Sequence, residues 1–163
     1  MFTLGIIVAS DKGSKGLRVD ESGPVIREML EQHHYITRKY VVLPDEKEAL
    51  AREMIHMCDD LSIDLILTSG GTGFSHRDVT PEATLSVVER LTPGISEAIR
   101  YNSLQITPRA MLSRAVSGIR KNTLIINLPG SPKAVRESLQ YILPSIAHGL
   151  EILKGTASEC ARK

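Results

Sequence analysis

Four short apolar runs, Leu4 to Ala9, Ile36 to Leu43, Ile63 to Thr68 and Thr123 to Leu128, punctuate the chain, and each ends in a polar or Gly/Pro-rich stretch. Runs of this length, rich in branched residues and bounded by polar ones, read as strands buried on both faces of a parallel sheet. Segments of helical spacing alternate with them. Ser22 to His33 reads as a helix with Ser22 near its N-cap, Pro24 in its first turn and Val25, Met29 and Leu30 on one face. Asp45 to Cys58, Thr80 to Leu91 and Gly94 to Gln105 follow the same logic. Strand–helix alternation predicts right-handed crossovers between parallel strands. Ala115 to Ile119 and Thr123 to Leu128 flank Arg120-Lys121-Asn122, a hairpin turn that places one antiparallel strand in the sheet. Pro132 to Leu153 has helical spacing through Val135, Leu139, Ile142 and Ile146, with Pro144 expected to kink or split it. The expected fold is therefore α/β and three-layered: a mostly parallel sheet, helices on both faces, one antiparallel strand.

At 163 residues the chain fits one domain, taken as 1–155 with a polar tail over 156–163. A net charge of +1 with scattered Lys and Arg argues against a nucleic-acid surface, as do the absence of Trp and the scarcity of other aromatics. No apolar run approaches the roughly 20 residues needed to span a bilayer. Cys58 and Cys160 belong to no CxxC or Cys/His cluster, so neither a zinc site nor a disulfide framework is expected. Met1-Phe2-Thr3 runs into an apolar strand without a basic leader, and a reducing cytoplasm is the simplest setting.

In a doubly wound sheet, ligands bind outside the carboxyl ends of the strands. Four loops fall there: Ser10 to Gly16, Pro44-Asp45-Glu46, Gly70-Gly71-Thr72-Gly73, and Pro129-Gly130-Ser131-Pro132. The third is the most informative. Its glycines let backbone N–H groups approach a phosphate, Thr72 adds a hydroxyl, and a helix with Thr80 as its N-cap and Pro81 at its first position points its positive end back at the loop. Asp78 stands beside it. A carboxylate facing a phosphate costs about 4 kcal/mol at 4 Å and an effective dielectric of 20 unless a cation lies between. Mg²⁺ is thus implied, and Asp45 on the neighbouring loop offers a second carboxylate. The plainer alternative stays open here: the glycines form a tight turn, Asp78 is solvated, and Asp45 is the N-cap of its helix. Lys12, Lys15, Arg77, Arg114 and Lys133 lie near the rim and could meet phosphate, although each alone reads as a surface cation. The five histidines share no spacing, and Ser14 lacks a nucleophile-elbow context, so covalent catalysis is disfavoured.

Leu67 to Thr84 (LTSGGTGFSHRDVTPEAT), Ser10-Asp11, Leu43-Pro44-Asp45-Glu46, Ala110 to Arg114 (AMLSR) and Ile126 to Pro132 (INLPGSP) together resemble the molybdopterin adenylyltransferase family. That family takes in Mog-type enzymes, MoaB proteins and the G domains of plant Cnx and gephyrin. The resemblance covers nearly the whole chain. It implies a trimeric α/β domain that transfers AMP from Mg-ATP to the terminal phosphate of molybdopterin, with hand-over to a molybdenum-insertion protein. By the same resemblance Asp45 and Asp78 match two essential acids associated with Mg²⁺ and catalysis. Ser10, Asp11, Gly70, Gly71, Thr72 and Gly73 fall to the nucleotide, and Ser103, Ser113, Asn127, Pro129, Gly130 and Ser131 to the pterin. Ser69 and His76 occupy variable positions, and the segment that some Mog proteins insert near Pro144 is missing. The rival readings are a MoaB-like protein that binds molybdopterin without turnover and a trimeric scaffold. Retention of both acids favours the enzyme.

Overall fold

The computed structural model describes residues 1–156, so Cys160 and nearly all of the expected tail lie outside it. Six strands form one sheet in the order β2-β1-β3-β6-β5-β4: β1 is Phe2–Ala9, β2 Tyr35–Leu43, β3 Leu65–Ser69, β4 Arg90–Leu91, β5 Ser117–Arg120 and β6 Thr123–Leu128. The pairs β1·β2, β1·β3 and β3·β6 are parallel. β5 alone is reversed, pairing antiparallel with β6 on one side and with the two-residue β4 on the other. The expected hairpin supplies the reversal, with Arg120 opposite Thr123 and Lys121 in the left-handed region at φ +50°.

Alternation along the strands sorts the helices into layers. Leu4, Ile6 and Val8 of β1 pack with α2 (Ser22–Gln32), α5 (Pro93–Leu104) and α6 (Pro132–Leu153). Ile7 and Ala9 pack on the other face with α3 (Lys47–Asp59) and α4 (Thr80–Val87). The three-layer expectation holds. A further single turn, α1 (Asp11–Ser14), forms inside the first rim loop, where Ser10 Oγ accepts from Gly13 N–H at 3.0 Å.

Three expected elements come out differently. α6 is one continuous helix of 22 residues and is not split at Pro144. Pro144 and Gln140, whose carbonyl loses its helical partner, are both exposed, so water can take the place of the missing N–H. α4 ends at Val87 instead of Leu91, because Glu89 N–H and Thr92 N–H turn outward to the carbonyls of Ile119 and Ser117 and create β4. α3 starts at Lys47, two residues after Asp45, with Glu46 at its N-cap. Among the described residues no helix is long and apolar enough to cross a membrane.

Candidate functional site

The strand order reverses between β1 and β3, since β2 lies on one side of β1 and β3 on the other. A crevice must open at the carboxyl ends there. It does: a cavity of about 720 Å³ is lined by Ser10 and Gly13 from the first loop, Asp45 from the second, Ser69, Gly70, Gly71 and Asp78 from the third, and Gly130, Ser131 and Pro132 from the fourth. All four predicted loops contribute.

The glycine loop has the conformation its composition anticipates. Gly70 (φ +90°) and Gly71 (φ +67°) both occupy the left-handed region, and a Cβ on Gly71 would sit 2.3 Å from Thr80 Oγ1. Thr80 does not cap its helix. It laces the helix start to the loop instead, its Oγ1 donating to the Gly70 carbonyl at 2.9 Å and its N–H to the Gly71 carbonyl at 3.1 Å. The α4 N-terminus is thereby fixed directly behind the loop, as an anion site requires. Asp78 closes the segment by accepting from Ser75 N–H at 3.0 Å.

Asp45 is not a helix cap either. Its Oδ2 accepts from Asp11 N–H at 2.9 Å, and its own N–H donates to Asp11 Oδ1 at 3.0 Å. Burial pushes the Asp45 carboxyl above its usual value, and the charges of Asp11 and Asp78 raise it further against the opposing Asp11 hydrogen bond. Asp11 is the reverse case. The Arg77 guanidinium grips both of its oxygens at 2.9 and 2.8 Å and holds its carboxyl down to about 2. Arg77 precedes Asp78 in the chain, so one fork–fork pair ties the Asp78 loop to the first rim loop, whose Asp11 is in turn hydrogen-bonded to Asp45.

The cavity lining takes in only part of the expected ligand set. Asp11, Thr72, Gly73, Ser103, Ser113, Asn127 and Pro129 lie outside the cavity lining. Asp11 holds other loops, and Pro129 offers its carbonyl to Ser69 Oγ at 2.7 Å. Asn127 is fully buried: its amide donates to Thr68 Oγ1 at 3.0 Å and Thr84 Oγ1 at 2.8 Å and accepts from Val116 N–H at 3.2 Å. Those bonds join β3, β6 and α4 beneath the rim, which leaves no amide N–H to meet a pterin. Arg77 pairs with Asp11, and Arg114 with Glu82 and the carbonyls of Gly73 and Asp78. Lys12, Lys15, Lys133 and His76 are exposed.

One wall was missed. Arg18 to Ser22 also lines the cavity and brings Asp20 and Glu21 into it. Asp20 there accepts from Ser22 N–H at 3.0 Å, Ser22 Oγ at 2.9 Å and Gly23 N–H at 3.0 Å, and from the Tyr40 hydroxyl. The signal was available in Asp20-Glu21-Ser22-Gly23-Pro24, since an Asp two residues ahead of a Gly-Pro helix start can cap it. Arg18 adds a cation to a lining that also holds the carboxylates of Asp20, Glu21, Asp45 and Asp78.

Residues 5–148 match the family model described as "Probable molybdopterin binding domain". The molybdopterin adenylyltransferase of Helicobacter pylori is 40% identical over 162 residues, which is 98% of this chain and 92% of that protein. Gephyrin of Dictyostelium discoideum is 45% identical over 160 residues, 92% of this chain but 22% of its own length. Among solved structures, the molybdopterin biosynthesis enzyme MoaB from Thermus thermophilus superposes with a TM-score of 0.90 at 45% identity, covering 95% of this chain and 98% of that one.

Proposed function

The chain belongs to the molybdopterin-binding domain family of molybdenum cofactor biosynthesis, and we propose from that premise that it adenylylates molybdopterin at the cavity between β1 and β3. A terminal phosphate oxygen of molybdopterin attacks the α-phosphorus of ATP. The bond from that phosphorus to the bridging oxygen breaks, and pyrophosphate leaves. The nucleophile comes with the substrate, so the protein has only to position both partners and offset charge.

One observation carries this reading above pterin storage or scaffolding: Asp45 and Asp78, from separate loops, both line the cavity that holds the glycine loop. Simple binding of a phosphorylated pterin gains nothing from two carboxylates. The donor set suits Mg²⁺, being oxygen only. Two carboxylates would leave the other positions of a six-coordinate cation to phosphate and water. The raised Asp45 carboxyl fits the same picture, because a cation there would relieve the repulsion from Asp78 and Asp11. Bound between Asp45 and Asp78, Mg²⁺ would neutralise the triphosphate and the departing pyrophosphate.

Gly70 and Gly71, backed by the α4 N-terminus, cradle the triphosphate with Ser10 at its side. Gly130 and Ser131 receive the pterin phosphate at the start of α6, and Arg18 closes over the nucleotide. The assembly is a closed cyclic trimer in the cytoplasm, and its product passes to a molybdenum-insertion protein. Incubation with molybdopterin, ATP and Mg²⁺ should yield adenylyl-molybdopterin and pyrophosphate one for one, read by mass and by phosphate release. Pterin binding without ATP consumption would leave the storage reading in its place.

A further inference from the structure

We propose that Arg114 is a positioning residue that fixes Asp78 for metal and nucleotide, a role that rests on the adenylyl-transfer reading above. The segment between the glycine loop and α4 exposes Phe74, Ser75, His76 and Arg77, and is held by the Asp78–Ser75 turn and the Arg77–Asp11 pair. Arg114 reaches it from the stretch between the turn Pro108–Leu112 and β5. Its Nε donates to the Gly73 carbonyl at 2.7 Å and its Nη2 to the Asp78 carbonyl at 2.6 Å, while its own N–H donates to the Thr72 carbonyl at 2.9 Å. The same guanidinium pairs with the Glu82 carboxylate in the first turn of α4.

One planar fork therefore grips both ends of residues 73–78 and anchors them to the helix whose N-terminus faces the phosphates. Lysine cannot reproduce this, because an ammonium lacks the spread of donors needed to reach Gly73, Asp78 and Glu82 together. Arg114 lies outside the cavity lining, so it acts through Asp78.

The test compares wild type with Arg114→Lys and Arg114→Ala. Turnover of ATP and molybdopterin is measured against Mg²⁺ concentration, alongside amide exchange of residues 73–78. Arg114→Lys is expected to fold, to keep molybdopterin affinity, to lose about 10²-fold in kcat and to need more Mg²⁺ for half-maximal rate, since misplacement by about 1 Å can cost that much. Millimolar guanidinium is expected to restore part of the Arg114→Ala rate. Exchange over 73–78 should rise in both variants while that of β1 and β3 stays unchanged. A Lys variant with wild-type kcat and Mg²⁺ dependence overturns the role. So does unchanged exchange over 73–78, and that result stands even if wild type turns over no ATP, which would sink the adenylyl-transfer reading separately.

Discussion

Asp11 and Asp45 exchange hydrogen bonds crosswise, each carboxylate accepting from the other's main-chain N–H at 2.9 and 3.0 Å. Arg77 grips both oxygens of Asp11 but reaches Asp45 only through space, and burial raises the Asp45 carboxyl most, with the Asp11 charge adding to it. The charge of Asp78 raises it further.

Asp45→Asn should consequently separate stability from activity. The folded carboxyl binds its proton more tightly than the unfolded one, so its contribution to stability is favourable at low pH and is lost as pH rises from the ordinary value near 3.8 through the raised one. The variant should melt at or above the wild-type temperature at pH 7, and the difference should shrink at pH 4. Turnover should fall about 10²- to 10³-fold, in line with removal of one electrostatic group from a preorganised site. Melting curves at the two pH values check the first half and rates the second.

Asp11 has the opposite sign. Its lowered carboxyl contributes stability above the usual carboxylate range, and that contribution is lost as pH falls through about 2. Arg77→Ala should lower the melting temperature modestly at neutral pH, because the pair is solvent-exposed, and the difference from wild type should shrink as pH falls toward about 2.

At Gly71 a methyl group meets both a positive φ of 67° and Thr80 Oγ1 at 2.3 Å. Gly71→Ala should cost about 1–3 kcal/mol in denaturant unfolding and disturb the Asp45 side of the cavity. Gly130→Ala is the control. Its Cβ would meet nothing closer than 3.4 Å, so stability should hold near wild type.

Asn127→Ala should behave as a core lesion. It takes a partner from the Thr68 hydroxyl and the Val116 N–H, while Thr84 Oγ1 keeps its bond to the Thr80 carbonyl, and a buried group left unpaired costs about 1–3 kcal/mol. A lower denaturant midpoint is expected, with pterin affinity preserved under conditions where the variant is folded.

How far the chain could be read in advance follows from what each signal encodes. The alternating apolar runs reported strand burial directly, and residues such as Ile6 and Leu67, both fully buried, anchor the sheet that the pattern implied. Glycines at 70 and 71 announced a backbone requirement that φ values of +90° and +67° bear out. Polar side chains were less legible, because a polar residue looks the same whether it faces a ligand or a neighbour. Asn127 and Arg114 both stood near rim loops in sequence, yet one is buried in the core and the other is spent on Glu82 and loop carbonyls. Local spacing made Asp45 and Thr80 into helix caps. Contacts across 34 residues to Asp11, and across 10 residues to Gly70, gave them other work. Arg18 was missed since nothing local distinguishes a loop cation that lines a cavity from one that does not.

The central claim is that two carboxylates on separate loops make this cavity an adenylyl-transfer site. Pyrophosphate release from ATP, measured with molybdopterin present and with Mg²⁺ either supplied or chelated by EDTA, tests it most directly when wild type and Asp78→Asn are run side by side. Wild type should release one pyrophosphate per molybdopterin consumed, only with the metal, and the folded Asn variant should release almost none. Release that continues in EDTA, or that is as fast in Asp78→Asn as in wild type, would contradict the account.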